Sequence, residues 1–355
     1  MLLAFIIAIF IALIPGLHIN TIASLLSQYI DDPYFYLLLM GAYVPLTALP
    51  LLLFNVSEES IASLPALQRA SKKEPSKAIS YYIFSALISS FIALFIPSGI
   101  FSLLYSAIKP YLFYVVLAFS LALLIKTRKP LGLIAFILSA LIGYISLTSK
   151  MAESFLPMFS GFFAIPFILL SSPSKNINIK PMFELNILRP SILGSFLGIL
   201  ALMLPGISSP SVVAIPLTPL LKSFDYIALT SAIMSSEYTL SIQNFYETGK
   251  KRIGVVGVIK SVENAKLYIF SGVLVGSGLA FGLLNYLRPS RTKVGKYLTI
   301  TYLALISFLL NGFYGILILV LSSLLGLIVK LNNVNASVLL GSIIGTTLYY
   351  LHFSA

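Results

Sequence analysis

The chain has 355 residues, of which 58% are hydrophobic and only 10% are charged, and its mean hydropathy is +1.00. Because a soluble domain carries about 25% charged residues, this composition excludes a soluble protein and predicts an all-α polytopic protein of the cell membrane. The net charge of +12 fits basic loops facing anionic lipids and not a nucleic-acid partner. The absence of cysteine excludes disulfides, thiolate metal sites and a cysteine nucleophile.

The first half of the chain alternates between apolar runs and polar turns. Since about 20 residues cross a membrane, the whole chain is predicted to hold roughly 10–12 spans. Residues 1–30 carry no charge and are expected to stay in place as a span, not to be cleaved as a signal peptide. The other predicted spans of this half are 34–54, 78–108 (one tilted span, or a span and a short interfacial helix), 110–125, 131–148 and 154–171. The polar loop 55–77 and the turn 126–129 are basic and therefore predicted to be cytoplasmic.

The second half follows a polar connector at residues 172–190. Its predicted spans are 191–204, 226–246, 267–287, two spans around Asn311-Gly312, and 334–353. We expect residues 1–171 and 191–355 to be two transmembrane repeats of one membrane domain. The charge bias would place both 250–266 and 288–296 inside, although only one span separates them. The orientation therefore stays open between parallel and inverted repeats, and we favour inverted repeats because they build alternating access around a midplane site.

A Pro-Gly pair occurs once in each half, 190 residues apart, and small polar residues follow each copy. Proline lacks the backbone N–H and glycine admits angles that other residues avoid, so each pair predicts a broken helix or a re-entrant hairpin. In lipid, unwound backbone is tolerated where it lines a site, and matched breaks in two halves are typical of transporters. The candidate substrate-binding residues are Pro15, Gly16, His18, Asn20, Thr21, Pro205, Gly206, Ser208, Ser209 and Ser211.

The chemistry of these breaks suits an anion. A helix that starts at a break presents unpaired N–H groups and the positive end of its dipole, which favour a carboxylate or a phosphate. His18 is a candidate acceptor of a coupling proton, and Glu237 is an isolated carboxylate in an apolar run, suited to Na⁺ or H⁺ coupling. The alternatives are that the breaks are structural kinks, that His18 lies at the headgroup level, and that Glu237 lies at a water interface. Beyond a coupling ion, no cofactor or metal is predicted.

Several short motifs follow one another in an order that resembles a known family. The two Pro-Gly stretches, Ile14 to Thr21 and Leu204 to Ile207, are two of them. Residues 54–60 and 64–69 form an acidic segment followed by Leu-Pro-Ala-Leu-Gln-Arg, and 249–254 reads Gly-Lys-Lys-Arg-Ile-Gly. The chain resembles the large membrane subunit of the tripartite tricarboxylate transporters (the TctA family), especially its short archaeal branch.

The resemblance implies a transporter of a small organic anion, with a small membrane subunit and an extracytoplasmic binding protein as accessory partners, neither of which the chain itself requires. A homo-oligomer is compatible with the sequence. The leading hypothesis is a secondary active carrier of a carboxylate coupled to Na⁺ or H⁺. The alternative is a translocase of a polyisoprenyl phosphate, which the same helix N-termini would hold while its tail stays in lipid. An enzyme is not predicted, because the chain has no His-Glu-x-x-His, Gly-x-Ser-x-Gly or P-loop motif. A channel ranks below a carrier, since one pathway does not need two matched breaks.

Overall fold

The computed structural model describes twelve stretches of the chain, and every structural statement below refers to them. They are 1–14, 17–49, 73–127, 129–149, 151–170, 180–207, 210–214, 217, 220–259, 262–284, 286 and 293–353. The regular elements in these residues are helices, as the composition predicts. Most of the polar loop predicted at 55–77, namely residues 55–72, lies outside the described residues. Pro15, Gly16, Ser208 and Ser209 lie outside them as well.

In the first half, one helix precedes the first Pro-Gly pair in the sequence and a short helix follows it. Longer apolar helices come after these. Several begin at a proline, whose missing N–H costs nothing in a first turn. Asp32 caps the third helix, because its carboxylate accepts from the backbone N–H of Tyr34 at 3.0 Å. The helices are α1 Leu2–Leu13, α2 Ile19–Leu26, α3 Pro33–Leu46, α4 Pro75–Leu94, α5 Ile100–Ile108, α6 Leu112–Thr127, α7 Pro130–Thr148 and α8 Phe155–Leu170.

The helices of the second half also lie on both sides of a Pro-Gly pair. The longest is interrupted at Gly312, whose φ of 61° and ψ of −152° turn the chain, so the predicted pair of helices around Asn311-Gly312 is confirmed. The helices are α9 Leu188–Met203, α10 Pro210–Ala214, α11 Ser223–Thr248, α12 Ala265–Leu284, α13 Lys293–Leu331 and α14 Gly341–Phe353.

One predicted boundary differs from the structure, at a proline. The connector was expected to reach residue 190, but α9 begins at Leu188, because Pro190 stands in the first turn, where backbone N–H groups have no helical partner. The predicted end at Ile108 is where α5 ends, and a 3₁₀ turn, Lys109–Tyr111, joins α5 to α6 around Pro110. The two helices together make one apolar element of 28 residues, Ile100–Thr127.

Seven helical elements of the described chain are long and apolar enough to cross a membrane. This confirms a polytopic membrane protein, although seven is fewer than the expected number of spans. Three further apolar helices, α1, α3 and α8, are shorter than a full crossing. The 26-residue α11 is long enough, but its hydroxyl and amide side chains make it far more polar than the others. It is instead buried among other helices along most of its length.

Helices of the first half pack against helices of the second half. α3 packs against α12, and α4 packs against α11. Likewise α7 packs against α14, and α8 packs against α13. Each pair takes one helix from each half. The ends of α4 and α12, at 75–94 and 265–284, are 190 residues apart, as are the starts of α3 and α11. These matches agree with the predicted repeat, whose hand stays a prediction.

Glycines set the close approach of α3 and α12. A side chain at Gly41 would collide with the carbonyl of Ile269 and lie 2.9 Å from the Cα of Gly272. Such backbone neighbours cannot move aside unless the helices separate. We therefore expect Gly41→Ala to lower the thermal unfolding temperature through overpacking of about 1–3 kcal/mol. Gly278→Ala on α12 is the control, because open space lies around it and alanine is the better helix former. An equal melting temperature for both variants would contradict this packing.

Hydroxyl groups join α4, α9 and α11 inside the membrane domain. The Ser89 hydroxyl donates to the Ala232 carbonyl at 2.6 Å, and the Ser235 hydroxyl donates to the Ala86 carbonyl at 2.7 Å. The hydroxyl of Ser195 donates to that of Ser89 at 3.0 Å. In lipid such bonds connect helices whose apolar surfaces gain little by contact with each other. They hold α11, which carries Glu237, in a fixed register beside both neighbours.

An ion pair joins the start of α4 to the segment before α9. Lys77 Nζ lies 2.9 Å from Glu184 Oε1, and the Tyr81 hydroxyl donates to Glu184 Oε2 at 2.7 Å. Lys77, and then Tyr81, hold the pKa of the Glu184 carboxyl below its usual range. A depressed carboxyl pKa stabilises the fold above the unfolded-state pKa, and this contribution is lost as the pH falls through the folded-state pKa.

We therefore expect Glu184→Gln to lower the melting temperature slightly at pH 7, and the difference from wild type to vanish in acid. The effect is small because the pair is part-exposed, and such pairs contribute at most about 1 kcal/mol. Thermal melts from pH 7 down to pH 3 measure it, with Glu263→Gln at an exposed loop position as the control. A difference from wild type that does not change with pH would contradict the ion-pair explanation.

Candidate functional site

The first break leaves its flanking backbone extended. Ile14, after α1, has φ of −108° and ψ of 100°, and His18, before α2, has φ of −91° and ψ of 148°. The Nδ1 atom of His18 accepts from the Asn20 N–H at 3.2 Å and so caps α2. A neutral ring that accepts at Nδ1 carries its proton on Nε2. That atom lies 3.4 Å from the Tyr238 hydroxyl of α11. His18 thus links the start of α2 to α11.

Two tyrosines surround His18. The ring of Tyr43, from α3, meets the imidazole edge-on at 5.8 Å between centroids, and it lies 6.3 Å from the ring of Tyr238. Tyr43 is fully buried, yet among the described residues its hydroxyl has no hydrogen-bond partner. An unpaired buried hydroxyl costs about 1–3 kcal/mol. A polar ligand beside His18 would supply the missing partner.

The second break follows α9 directly. Leu204 is extended, and Gly206 has φ of +73°, a left-handed conformation that side chains other than glycine disfavour. A Cβ at Gly206 would also lie 2.9 Å from the Thr347 Cβ of α14. Glycine is therefore required here both by the backbone angle and by the close approach of α14. α10 begins at Pro210, so both Pro-Gly pairs lie between two helices, as predicted.

The loop after α11 contacts a helix next to each break. Arg252, three residues after α11 is capped by Gly249, donates through Nε to the Leu202 carbonyl at 2.9 Å and through Nη2 to the Met203 carbonyl at 3.1 Å. These are the last carbonyls of α9, which lack helical donors. Three residues later, the N–H of Val255 donates to Asn20 Oδ1 at 3.2 Å. The same loop therefore caps the helix that ends at the second break and holds the helix that starts at the first.

Two consecutive residues of α11, Glu237 and Tyr238, interact with groups next to the two breaks. Tyr238 meets His18 at the first break, as described above. Glu237 is 3% exposed and interacts electrostatically with Arg252, which caps the helix before the second break. Its carboxyl is therefore buried against neighbouring helices in the middle of the 26-residue α11, and its depth in the membrane stays a prediction. Arg252 is thus a cation in whose field the buried Glu237 carboxyl lies.

The predicted site residues that the structure describes lie at two helix ends. His18, Asn20 and the buried Thr21 lie at the start of α2, and Pro205-Gly206 lies at the end of α9. Pro15, Gly16, Ser208, Ser209 and the side chain of Ser211 lie outside the described residues. Sequence reasoning missed Tyr43, Tyr238 and Val255. Arg252 lay in a motif noted for its resemblance to the family, but no role was assigned to it.

Comparison with known proteins identifies the family. The model of the tripartite tricarboxylate transporter TctA family matches residues 1–215, which include both Pro-Gly breaks and more than half of the chain. Searches of curated proteins and of solved structures give no match. The apolar helices described above agree with a transporter that is an integral membrane protein. The chain therefore belongs to the tripartite tricarboxylate transporter TctA family and is a multi-pass membrane component of such a transporter.

Proposed function

We propose that this chain is the carrier subunit for a small organic anion, a carboxylate, and that the helices flanking the two Pro-Gly breaks together bind the substrate. One observation carries the proposal: the loop with Arg252 and Val255 contacts the flanking helices of both breaks. Matched breaks in two halves mark the substrate site of many secondary transporters. We infer from this shared loop that the two breaks belong to one site.

The groups at this site suit a carboxylate. The start of α2 offers the positive end of a helix dipole, and Tyr43 offers an unpaired buried hydroxyl. Both ring nitrogens of His18 have partners, Asn20 N–H and the Tyr238 hydroxyl, so a ligand at His18 would take the place of Tyr238. Arg252 adds positive charge beside the second break. A charged donor and a buried hydroxyl of this kind suit an anion in a low-dielectric site.

Coupling to Na⁺ or H⁺ would use the two ionisable residues of the same site. Glu237 is a carboxylate buried in the membrane domain, and such residues are functional candidates by default. Because Glu237 interacts with Arg252, binding of an anionic substrate next to Arg252 would compete for the same positive charge. A cation at Glu237 would then favour substrate binding by releasing Arg252. His18 is the second candidate, for a proton.

Alternating access would move one set of helices against the other. Two helix pairs, α3 with α12 and α4 with α11, form interfaces between the halves. A shift at one interface can be matched by the opposite shift at the other, which would expose the breaks to either side in turn. The small membrane subunit and the extracytoplasmic binding protein would deliver substrate to this carrier, and a homo-oligomer is compatible with it.

The proposal is tested by uptake into proteoliposomes of the purified chain. Labelled citrate and succinate are offered under an imposed Na⁺ gradient, an imposed H⁺ gradient, or neither, and the gradient that drives accumulation names the coupling ion. Glu237→Gln should abolish accumulation. Adding Gln243→Glu to that variant, which puts a carboxylate at the part-exposed end of the same helix, should not restore it. Absence of carboxylate uptake in folded protein, with or without the accessory subunits, would overturn the proposal.

The hydroxyl of Tyr43 allows substrate binding to be separated from stability. Tyr43→Phe removes a buried group that lacks a partner, so the melting temperature should stay equal or rise. If that hydroxyl binds substrate, KM for uptake should rise about tenfold, as expected for loss of a hydrogen bond to a charged group worth ~1.5–3 kcal/mol. Transport kinetics and thermal melts on the same preparation measure both.

Tyr82→Phe is the matched control for that experiment. The Tyr82 hydroxyl is bonded to Thr47 Oγ1 at 2.8 Å and to Met234 Sδ at 3.6 Å. Its removal should therefore lower the melting temperature and leave KM near the wild-type value. An unchanged KM in Tyr43→Phe would show that this hydroxyl does not contact the substrate.

A further inference from the structure

An apolar groove of about 380 Å³ lies between α5 and α9, on the flank of the helix bundle. α5 lines it with Ile100, Leu104 and Ile108, and α9 lines it with residues that include Leu200 and Met203. These residues recur at the spacing of one helix face. On the same side of α9, Phe196 also borders the groove and is 56% exposed, so the groove opens toward the surrounding lipid.

Positive side chains reach the wall of this groove. Lys266, at the start of α12, donates from Nζ to the carbonyl of Ile96, a groove residue, at 2.8 Å. Arg252 donates to the carbonyl of Met203, another groove residue, at 3.1 Å. An ammonium has three donors, so Lys266 keeps capacity for a second acceptor.

A third cation lies next to the groove lining, and a carboxylate lies near these cations. Lys250 Nζ lies 6.0 Å from the ring centroid of Tyr105, the residue after the groove residue Leu104. Glu247 accepts from the backbone N–H groups of Gly99 and Phe101 at 2.8 Å each, at the start of α5, and it also interacts electrostatically with Lys266. This carboxylate stands against three cations, Lys266, Arg252 and Lys250, so positive charge is in excess beside the groove.

We propose that this groove binds one anionic phospholipid, with an acyl chain between α5 and α9 and its phosphate near Lys266 and Lys250. Basic pockets between transmembrane helices on the cytoplasmic side bind anionic headgroups, and of the two basic segments 250–266 and 288–296 we assign the one that includes Lys250 to that side. Because α9 leads directly into the second Pro-Gly break, the lipid would brace the helix that carries this break. The proposal does not depend on the identity of the transported substrate.

The test compares lipid retention by the purified full-length chain. After exchange into detergent with equal amounts of dioleoyl phosphatidylglycerol and dioleoyl phosphatidylcholine, native mass spectrometry should show at least a fivefold excess of bound phosphatidylglycerol. Leu104→Trp, which fills the groove, and Lys266→Gln, which removes a headgroup contact, should each reduce this excess to about one. The matched controls are Leu193→Trp on α9, 37% exposed and outside the groove lining, and Lys180→Gln on the segment before α9.

Three results would overturn the assignment. Equal retention of both lipids would remove the role of the charge. A phosphatidylglycerol excess that survives both Leu104→Trp and Lys266→Gln would place the bound lipid elsewhere. Displacement of phosphatidylglycerol by a polyisoprenyl phosphate at a tenfold lower concentration would assign the groove to a different class of lipid. Thermal melts in phosphatidylcholine verify that each variant is folded before its lipids are counted.

Discussion

Replacement of Gly206 by leucine is expected to abolish carboxylate uptake. The φ of +73° at this position is strained for a side chain by about 1–2 kcal/mol. The added Cβ would also collide with Thr347 of α14. Both effects displace the backbone after α9, where the second half of the substrate site lies. Initial rates of citrate uptake in proteoliposomes should fall at least tenfold.

Gly282→Leu is the matched control for this variant. Gly282 lies on α12 with open space around it, so leucine there should leave uptake within about twofold of wild type. The same substitution is made in both cases, and only the backbone angle and the neighbours differ. Full uptake by a folded Gly206→Leu protein would show that the second break is a structural kink without a part in the substrate site.

Loss of the Arg252 side chain should have an effect of similar size. Arg252→Gln removes a cation that interacts electrostatically with Glu237 and leaves the carbonyls of Leu202 and Met203 without their donors. A buried group that loses its partner costs about 1–3 kcal/mol. We expect a lower melting temperature, and uptake reduced at least tenfold. Arg252→Lys should rescue little, since one ammonium does not reproduce a fork that reaches two carbonyls.

The neighbouring lysine provides the control, and a double variant tests the coupling. Lys251 is exposed, with Nζ 5.6 Å from the Phe245 ring centroid, so Lys251→Gln should be nearly silent. If Glu237 and Arg252 depend on each other, Glu237→Gln combined with Arg252→Gln should lose less stability than the two single losses added together. Strictly additive losses would contradict an interaction between these side chains.

The helix breaks were predictable because proline and glycine act on the local backbone. The sequence placed both Pro-Gly pairs between apolar runs, and the structure puts a helix on each side of each pair. The same local reasoning erred at Pro190, because proline is tolerated in a first helical turn. A charged residue beside a proline, as at Arg189-Pro190, looked like a loop for the same reason.

The contacts that form the site could not be predicted from the sequence. Arg252 meets carbonyls 49 and 50 residues away, and Val255 meets Asn20 across 235 residues. Such pairs depend on which helices of the first half pack against which helices of the second half. Tyr43 looked like one aromatic residue among many in an apolar run, because only packing reveals that its hydroxyl is buried without a partner. The resemblance to the family drew attention to Arg252 without indicating what it contacts.

Protection of single cysteines by substrate tests most directly whether the two breaks form one site. The chain has no cysteine, so Asn20→Cys, Ser211→Cys and the control Ser27→Cys at the exposed end of α2 each carry one reactive thiol. Labelling with a small maleimide is followed as citrate is titrated into purified protein. We predict that citrate slows labelling at Asn20→Cys and Ser211→Cys with the same concentration dependence and does not affect Ser27→Cys. Protection at one break without the other, or at neither, would contradict a shared substrate site.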